Sequence, residues 1–169
     1  MPSPIEIERK FVIKIPDIKL LCQLNCYTVS EIRQDYLASS PAVTHRVRMR
    51  AYPDRTVYTE TKKIRIDRMS VIEEEHEVSA EEYAALIEKK SPEHKTVAKI
   101  RHTAEYKGKI FEVDIYPEWK KTCILEVELN SRDEMVEMPP FIRIIKEVTG
   151  DKSYSNAGMA QSFPKELST

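Results

Sequence analysis

The stretch Ile5-Glu6-Ile7-Glu8-Arg9-Lys10-Phe11-Val12-Ile13 decides the fold. Ile5, Ile7, Phe11 and Ile13 share one parity, and Glu6, Glu8 and Lys10 share the other. Successive residues of a strand face opposite ways, so this stretch predicts a strand with one apolar and one charged face. The same two-faced pattern recurs downstream. It predicts strands from Arg33 to Leu37, Thr44 to Ala51, Val57 to Ile64, Ile72 to Val78, Val97 to Thr103, Ile110 to Tyr116 and Cys123 to Leu129.

Helix signals lie between and after these strands. Pro16 and Asp17 open a short amphipathic segment through Leu24, and Ser79 with Glu82 forms a capping box before a helix ending near Lys90. Ser131 with Glu134 reads as a second capping box. Pro140 can start a helix that Gly150 ends, and a last short helix is expected around Asn156 to Gln161. Strands in series with helices between and after them give an α+β arrangement around an antiparallel sheet. The 169 residues show no repeat and no linker, so one domain over 1–169 is expected.

Composition bounds the function. With 27 Lys+Arg against 28 Asp+Glu the formal net charge is −1, so no global field recruits nucleic acid or an anionic membrane. Only 3 Gly occur, and neither Gly-rich phosphate-loop motif is present, so bound phosphates would have to be held by side chains. The N-terminal MPSPIEIERKF lacks the apolar centre of a leader, and Cys22, Cys26 and Cys123 make neither an even disulfide set nor paired zinc spacing, which reads as a cytoplasmic protein with reduced thiols.

The charged faces are sorted by sign. Glu6-x-Glu8, Glu73-x-Glu75, Glu112-x-Asp114 and Glu126-x-Glu128 are acidic, while Arg46-x-Arg48-x-Arg50 and Lys99-x-Arg101 are basic. The ordinary account is a sheet that rests on its core and turns its charges to water, but solvated faces usually mix signs because like charges two residues apart repel. A sheet closed on itself can instead turn its charged face inward, where ions survive only with water, mutual pairing or bound ligands. Paired carboxylates suit Mg²⁺ or Mn²⁺, and Arg and Lys suit phosphate oxygens.

In this order the motifs resemble the CYTH superfamily, the triphosphate tunnel metalloenzymes. Glu6-Ile-Glu8-Arg-Lys10 is similar to its E-x-E-x-K signature, Gln34-Asp-Tyr36-Leu37 to its Q-x-Y-L segment, Arg46-x-Arg48 to its R-x-R strand and Lys62 to its central lysine. Glu73-x-Glu75, Lys99-Ile-Arg101, Glu112-x-Asp114 and Glu126-Val-Glu128 follow in the family's order. The resemblance implies a closed eight-stranded antiparallel β-barrel, with helices packed outside, that hydrolyses a linear triphosphate with Mg²⁺ or Mn²⁺. It implies that Lys10, Arg46, Arg48, Lys62, Lys99 and Arg101 hold phosphates and that Glu6, Glu8, Glu126 and Glu128 bind metal. Glu73, Glu75 and Asp114 would serve a second metal or orient the attacking water. The chain departs from the pattern at Val71 and Ser153, where the family often has arginine, and Lys152 or Arg68 would compensate.

The remaining residues take plainer readings. His45, His76, His94 and His102 lack metal-site spacing, and Glu77 and Arg50 extend the sorted faces towards solvated strand ends. Lys62-Lys63 with Arg65 and Arg68 reads as an exposed hairpin tip, and Trp119 as a packing anchor, with stacking on a substrate ring as the alternative. Competing functions are thiamine triphosphatase, adenylate cyclase and a non-catalytic polyphosphate-binding module. The expected partner is a triphosphate-containing small molecule, with no nucleic acid and no membrane.

Overall fold

A computed structural model describes residues 5–40 and 42–169, so the first four residues of the stretch read for a leader lie outside it. Nine strands form in chain order: β1 (Ile5–Lys14), β2 (Asn25–Ser39), β3 (Val43–Ala51), β4 (Thr56–Arg65), β5 (Ser70–Val78), β6 (Val97–Tyr106), β7 (Lys109–Ile115), β8 (Thr122–Leu129) and β9 (Ile144–Glu147). Helices are few: α1 (Ile18–Leu21), α2 (Ala80–Ile87), a 3₁₀ turn at Lys152–Tyr154 and α3 (Asn156–Gln161). Among the described residues no helix is long and apolar enough to cross a membrane.

All strand pairs are antiparallel, and the order β5-β4-β3-β2-β6-β7-β8-β1 returns on itself where β1 pairs with β5. Eight strands thus form a ring. The returning seam is short, with only Ile5↔Ile72, Glu6↔Val71 and Ile7↔Ser70 in register. Further along the same edge of β1 the partner is β9, at Phe11↔Glu147, Val12↔Lys146 and Ile13↔Ile144.

That second partner corrects one expectation. The segment after Pro140 does not form a helix ending at Gly150; it supplies β9, and no helix follows Ser131 either. Ile142, Ile144, Ile145, Val148 and Thr149 are β-branched and resist helix formation, while the edge of β1 beyond the seam carries backbone groups that need partners. Val148 N–H accordingly donates to the Lys10 carbonyl (2.8 Å). Strand β2 is also longer than its apolar pattern indicates, because it forms full ladders with both β3 and β6.

The apolar face lies outside the ring. Phe11, Ile13, Phe111, Val113, Leu125 and Val127 are buried there under Leu21 of α1 and Ile142. Each such side chain gains about 1.5–3 kcal/mol on burial. Cover by helices is otherwise thin: α2 buries no residue fully and meets the wall through Tyr83 against Tyr58, ring centroids 4.8 Å apart. A second cluster lies inside one end of the ring. There the inward parity of β1, β8, β6 and β2 becomes apolar at Val12, Ile124, Val97 and Tyr36, and Tyr116, Trp119, Tyr154 and Met159 pack over them.

Trp119 is 4% exposed, donates from Nε1 to the Pro164 carbonyl (3.0 Å) and meets the rings of Tyr116 and Phe163. It is the packing anchor of this plug and no platform for a substrate ring. Trp119→Ala should therefore cost about 3–5 kcal/mol of stability, read from urea denaturation, whatever substrate is bound.

Candidate active site in the lumen of the ring

Residues directly opposite one another on antiparallel strands point to the same side, so the register fixes what the ring encloses. Lys10 faces Glu126, Glu8 faces Glu128, Glu112 faces Glu126 and Arg101 faces Asp114. Arg46 and Arg48 on β3 face Thr61 and Thr59 on β4, and Lys63 faces Glu73 on β5. The cavity so enclosed holds about 590 Å³, within the range of about 300–1,000 Å³ usual for ligand sites. Its walls differ in character: β1, β7 and β8 bring Glu6, Glu8, Glu112, Glu126 and Glu128, while β3 and β4 bring Arg46, Arg48, Arg50, Lys63 and Arg65.

Most of these charges neutralise one another across the strands. Lys10 Nζ lies 2.9 Å from Glu126, Arg101 Nη1 2.6 Å from Glu112, Lys63 Nζ 2.9 Å from Glu73 and 3.7 Å from Glu6, and Arg48 Nη2 3.2 Å from Glu75. Arg46 reaches Glu73 only at 3.7 Å. The Nε donors of Arg46 and Arg48 are buried without a protein partner. Burial, reinforced by the neighbouring Arg46 and Arg101, lowers the Arg48 guanidinium to about 10. The basic wall thus carries positive charge that the protein itself does not satisfy.

The acidic wall is strained in the opposite sense. Glu8 is pushed above the usual carboxylate range, first by the charge of Glu126 and then by burial. Burial also lifts Glu6, to about 8, aided by a proton shared with Glu73. Burial works against the charge of Glu73 too, but the bond from Glu6 and the cations Lys63 and Arg46 outweigh it and hold Glu73 at about 2. These all-oxygen donors, short of positive charge, fit a hard divalent cation. Among the described residues no three His, Cys, Asp or Glu side chains are already gathered in a metal-ligating group.

The structure brings together most of the residues singled out from the sequence. Lys10, Arg46, Arg48, Arg101, Lys152, Glu6, Glu8, Glu73, Glu75, Glu126 and Glu128 all line the cavity. Three do not. Lys62 is exposed on the outer face and in register with Glu74; the lysine of the lumen is Lys63. Apolar residues fall on both parities of β4, Ile64 with Lys62 and Val57 with Lys63, so its own pattern does not choose between the two lysines. Lys99 and Asp114 share the inward parity but are buried at the plugged end of the ring, outside the cavity lining, 1% and 0% exposed in their side chains and 2.7 Å apart. Both Asp114 oxygens accept bonds, Oδ1 from Arg101 Nε (2.7 Å) and Oδ2 from Arg101 Nη2 (2.8 Å) and Lys99 Nζ (2.7 Å), so Asp114 orients Arg101.

Other lumen residues went unassigned. Arg50 lines the cavity and donates from Nε to the Ser30 hydroxyl (2.9 Å) instead of facing solvent. Arg65, at the end of the β4–β5 hairpin, donates from Nη1 to the Asp67 and Arg68 carbonyls of the turn (3.1 and 3.3 Å), yet it lines the cavity in register with Val71, beside the position where arginine is missing. Arg68 faces away, bonded to the Thr149 carbonyl (2.8 Å). Glu112 lines the lumen on β7.

A solved structure titled as the inorganic triphosphatase NE1496 is 27% identical in sequence, covers 95% of this chain and 97% of that one, and superposes with a TM-score of 0.60. This likeness over nearly the whole chain agrees with the resemblance to the CYTH superfamily read from the motifs. The PH1012 protein from Pyrococcus horikoshii OT3, 22% identical over 76% of this chain and 80% of that one, shares the fold with a TM-score of 0.59. No protein-family model and no curated protein matches the sequence.

The carboxylates of the lumen give the protein's stability a distinctive pH dependence. Glu6 binds its proton up to about pH 8 when folded but only to about 4.5 when unfolded, so over that window the folded state carries more protons and stability falls as pH rises. Glu8 acts in the same direction. His102, lowered by burial, opposes the trend only below its ordinary value of 6.5. Urea midpoints in chelator should therefore drop between pH 6.5 and 8, and Glu6→Gln should flatten the slope.

Proposed function

We propose that this chain hydrolyses a linear triphosphate, inorganic tripolyphosphate or a nucleoside triphosphate, in a reaction that needs Mg²⁺ or Mn²⁺. The observation that carries this reading is the uncompensated basic wall: buried Arg46 and Arg48 with free Nε donors, and Arg48 held near 10 by burial and its cationic neighbours. An isolated carboxylate would not balance several guanidiniums spread along two strands, whereas a chain of phosphates presents repeated anionic oxygens to them. The likeness to a protein titled an inorganic triphosphatase supports the same reading.

Arg46, Arg48, Arg101, Lys10 and Lys63 hold the phosphate oxygens in this proposal. Asp114 fixes Arg101 from the buried end of the lumen, and Lys99 completes that support. Glu6, Glu8, Glu126 and Glu128 would hold the divalent ion, with Glu112 beside them, and the ion would offset charge developing on the transferred phosphoryl group. Glu75 accepts from Arg48 and from the Thr61 hydroxyl (2.8 Å), and with Glu73 it orients water toward the terminal phosphorus. Water adds to that phosphorus, the anhydride P–O bond breaks, and orthophosphate and diphosphate leave. Positioning and charge stabilisation suffice for such a transfer, without a protein nucleophile.

Trp119 is buried in the plug, which favours a site that reads the phosphate chain over one that reads a base or a thiazolium ring. All three cysteines are free thiols, in keeping with a reducing cytoplasm. An assay of tripolyphosphate, ATP and thiamine triphosphate with Mg²⁺ and with Mn²⁺ tests the proposal. Orthophosphate release should be fastest from tripolyphosphate and vanish in chelator, and Arg48→Ala should lower kcat/KM on the order of 100-fold for every substrate. Cyclic nucleotide with diphosphate would identify a cyclase instead, and tight binding without product would identify a binding module.

A further inference from the structure

The lumen ion pairs join the two halves of the site to each other. Lys10 is held by Glu126 (2.9 Å), and Lys63 by Glu73 (2.9 Å) and Glu6 (3.7 Å). Arg101 reaches Glu112 (2.6 Å) and Glu126 (3.6 Å). Each phosphate-holding cation thus occupies at least one carboxylate proposed to bind metal, Glu126 for Lys10 and Arg101 and Glu6 for Lys63. A carboxylate bonded to an ammonium or guanidinium offers fewer lone pairs to a metal, and a cation bonded to a carboxylate offers fewer donors to phosphate.

We propose that these pairs are mutual stoppers, so that triphosphate frees the metal-binding carboxylates by drawing Lys10, Lys63 and Arg101 onto its own oxygens, and metal frees the cations in turn. The two ligands then bind with positive coupling that belongs to the protein, beyond their attraction for each other in solution. By linkage the effect is reciprocal: whatever factor triphosphate adds to metal affinity, metal adds to triphosphate affinity. The proposal rests on the triphosphate reading above and states how that site is regulated by its own charges.

The coupling predicts gains where a simple view predicts losses. Lys10→Met and Lys63→Met each release a carboxylate, so both should tighten Mn²⁺ binding to the triphosphate-free protein, by about 5- to 150-fold. Arg50→Met is the control, because Arg50 lies in the same lumen but holds the Ser30 hydroxyl and stacks 4.8 Å from the Tyr52 ring. It removes the same charge without freeing a carboxylate and should leave Mn²⁺ affinity near the parent's. In the reverse direction, Glu126→Gln releases Lys10 and should tighten tripolyphosphate binding in EDTA, where no turnover occurs.

Mn²⁺ binding is read from the electron paramagnetic resonance of the free ion and tripolyphosphate binding from calorimetry, after circular dichroism confirms that each variant is folded. Two lysine variants and one glutamate variant keep the test open if one of them misfolds. Tighter Mn²⁺ binding in the lysine variants alone, with tighter tripolyphosphate binding in Glu126→Gln, is the expected result. Unchanged affinities, or equal tightening in Arg50→Met, overturn the coupling. A parent that binds no tripolyphosphate in EDTA and hydrolyses none with Mn²⁺ overturns the function instead, so the two failures are told apart.

Discussion

Three residue pairs, Ile5↔Ile72, Glu6↔Val71 and Ile7↔Ser70, turn an open antiparallel sheet into a ring, and the chemistry of the lumen depends on them. Without this seam the charged face would lie against water, where screening would leave its ion pairs worth little. With it, Glu6 on one strand and Glu73 and Lys63 on the next two are brought to one side of an enclosed space. The seam is short because β1 cannot give its whole edge to β5; the rest is taken by β9. The C-terminal segment is thereby fastened to the strand that carries Glu8 and Lys10, which is why Tyr154 and Met159 reach the plug at one end of the lumen.

Much of this was legible in the alternation of the chain. A strand that is apolar on one parity and single-signed on the other can be read without a partner, so eight of the nine strands and the inward charges of β1, β3, β5 and β8 follow from sequence. Parity fails where both neighbours are charged. At Lys62-Lys63 the pattern of β4 alone does not choose, and only the register with Arg46 and Arg48 across the hairpin puts Lys63 inside. The helix expected after Pro140 failed for a different reason: caps are local signals, whereas the unpaired edge of β1 that recruits β9 is created by the ring and is invisible in any window of sequence.

Asp114 shows what alternation cannot supply at all. Its parity is that of the lumen, yet it has no exposed surface there because Lys99 and Arg101, two residues apart on β6, close over it. A buried triad of this kind contributes little net stability, since desolvating the ions costs several kcal/mol each and an apolar trio of similar volume would serve the core as well. Its effect is geometric. Asp114 takes the Nε and Nη2 edge of Arg101, which fixes the plane of the guanidinium and directs Nη1 to Glu112 in the lumen. A guanidinium held in one orientation loses less freedom when it grips a phosphate than one that must first be ordered. The buried carboxylate thereby acts on the lumen through the guanidinium it orients.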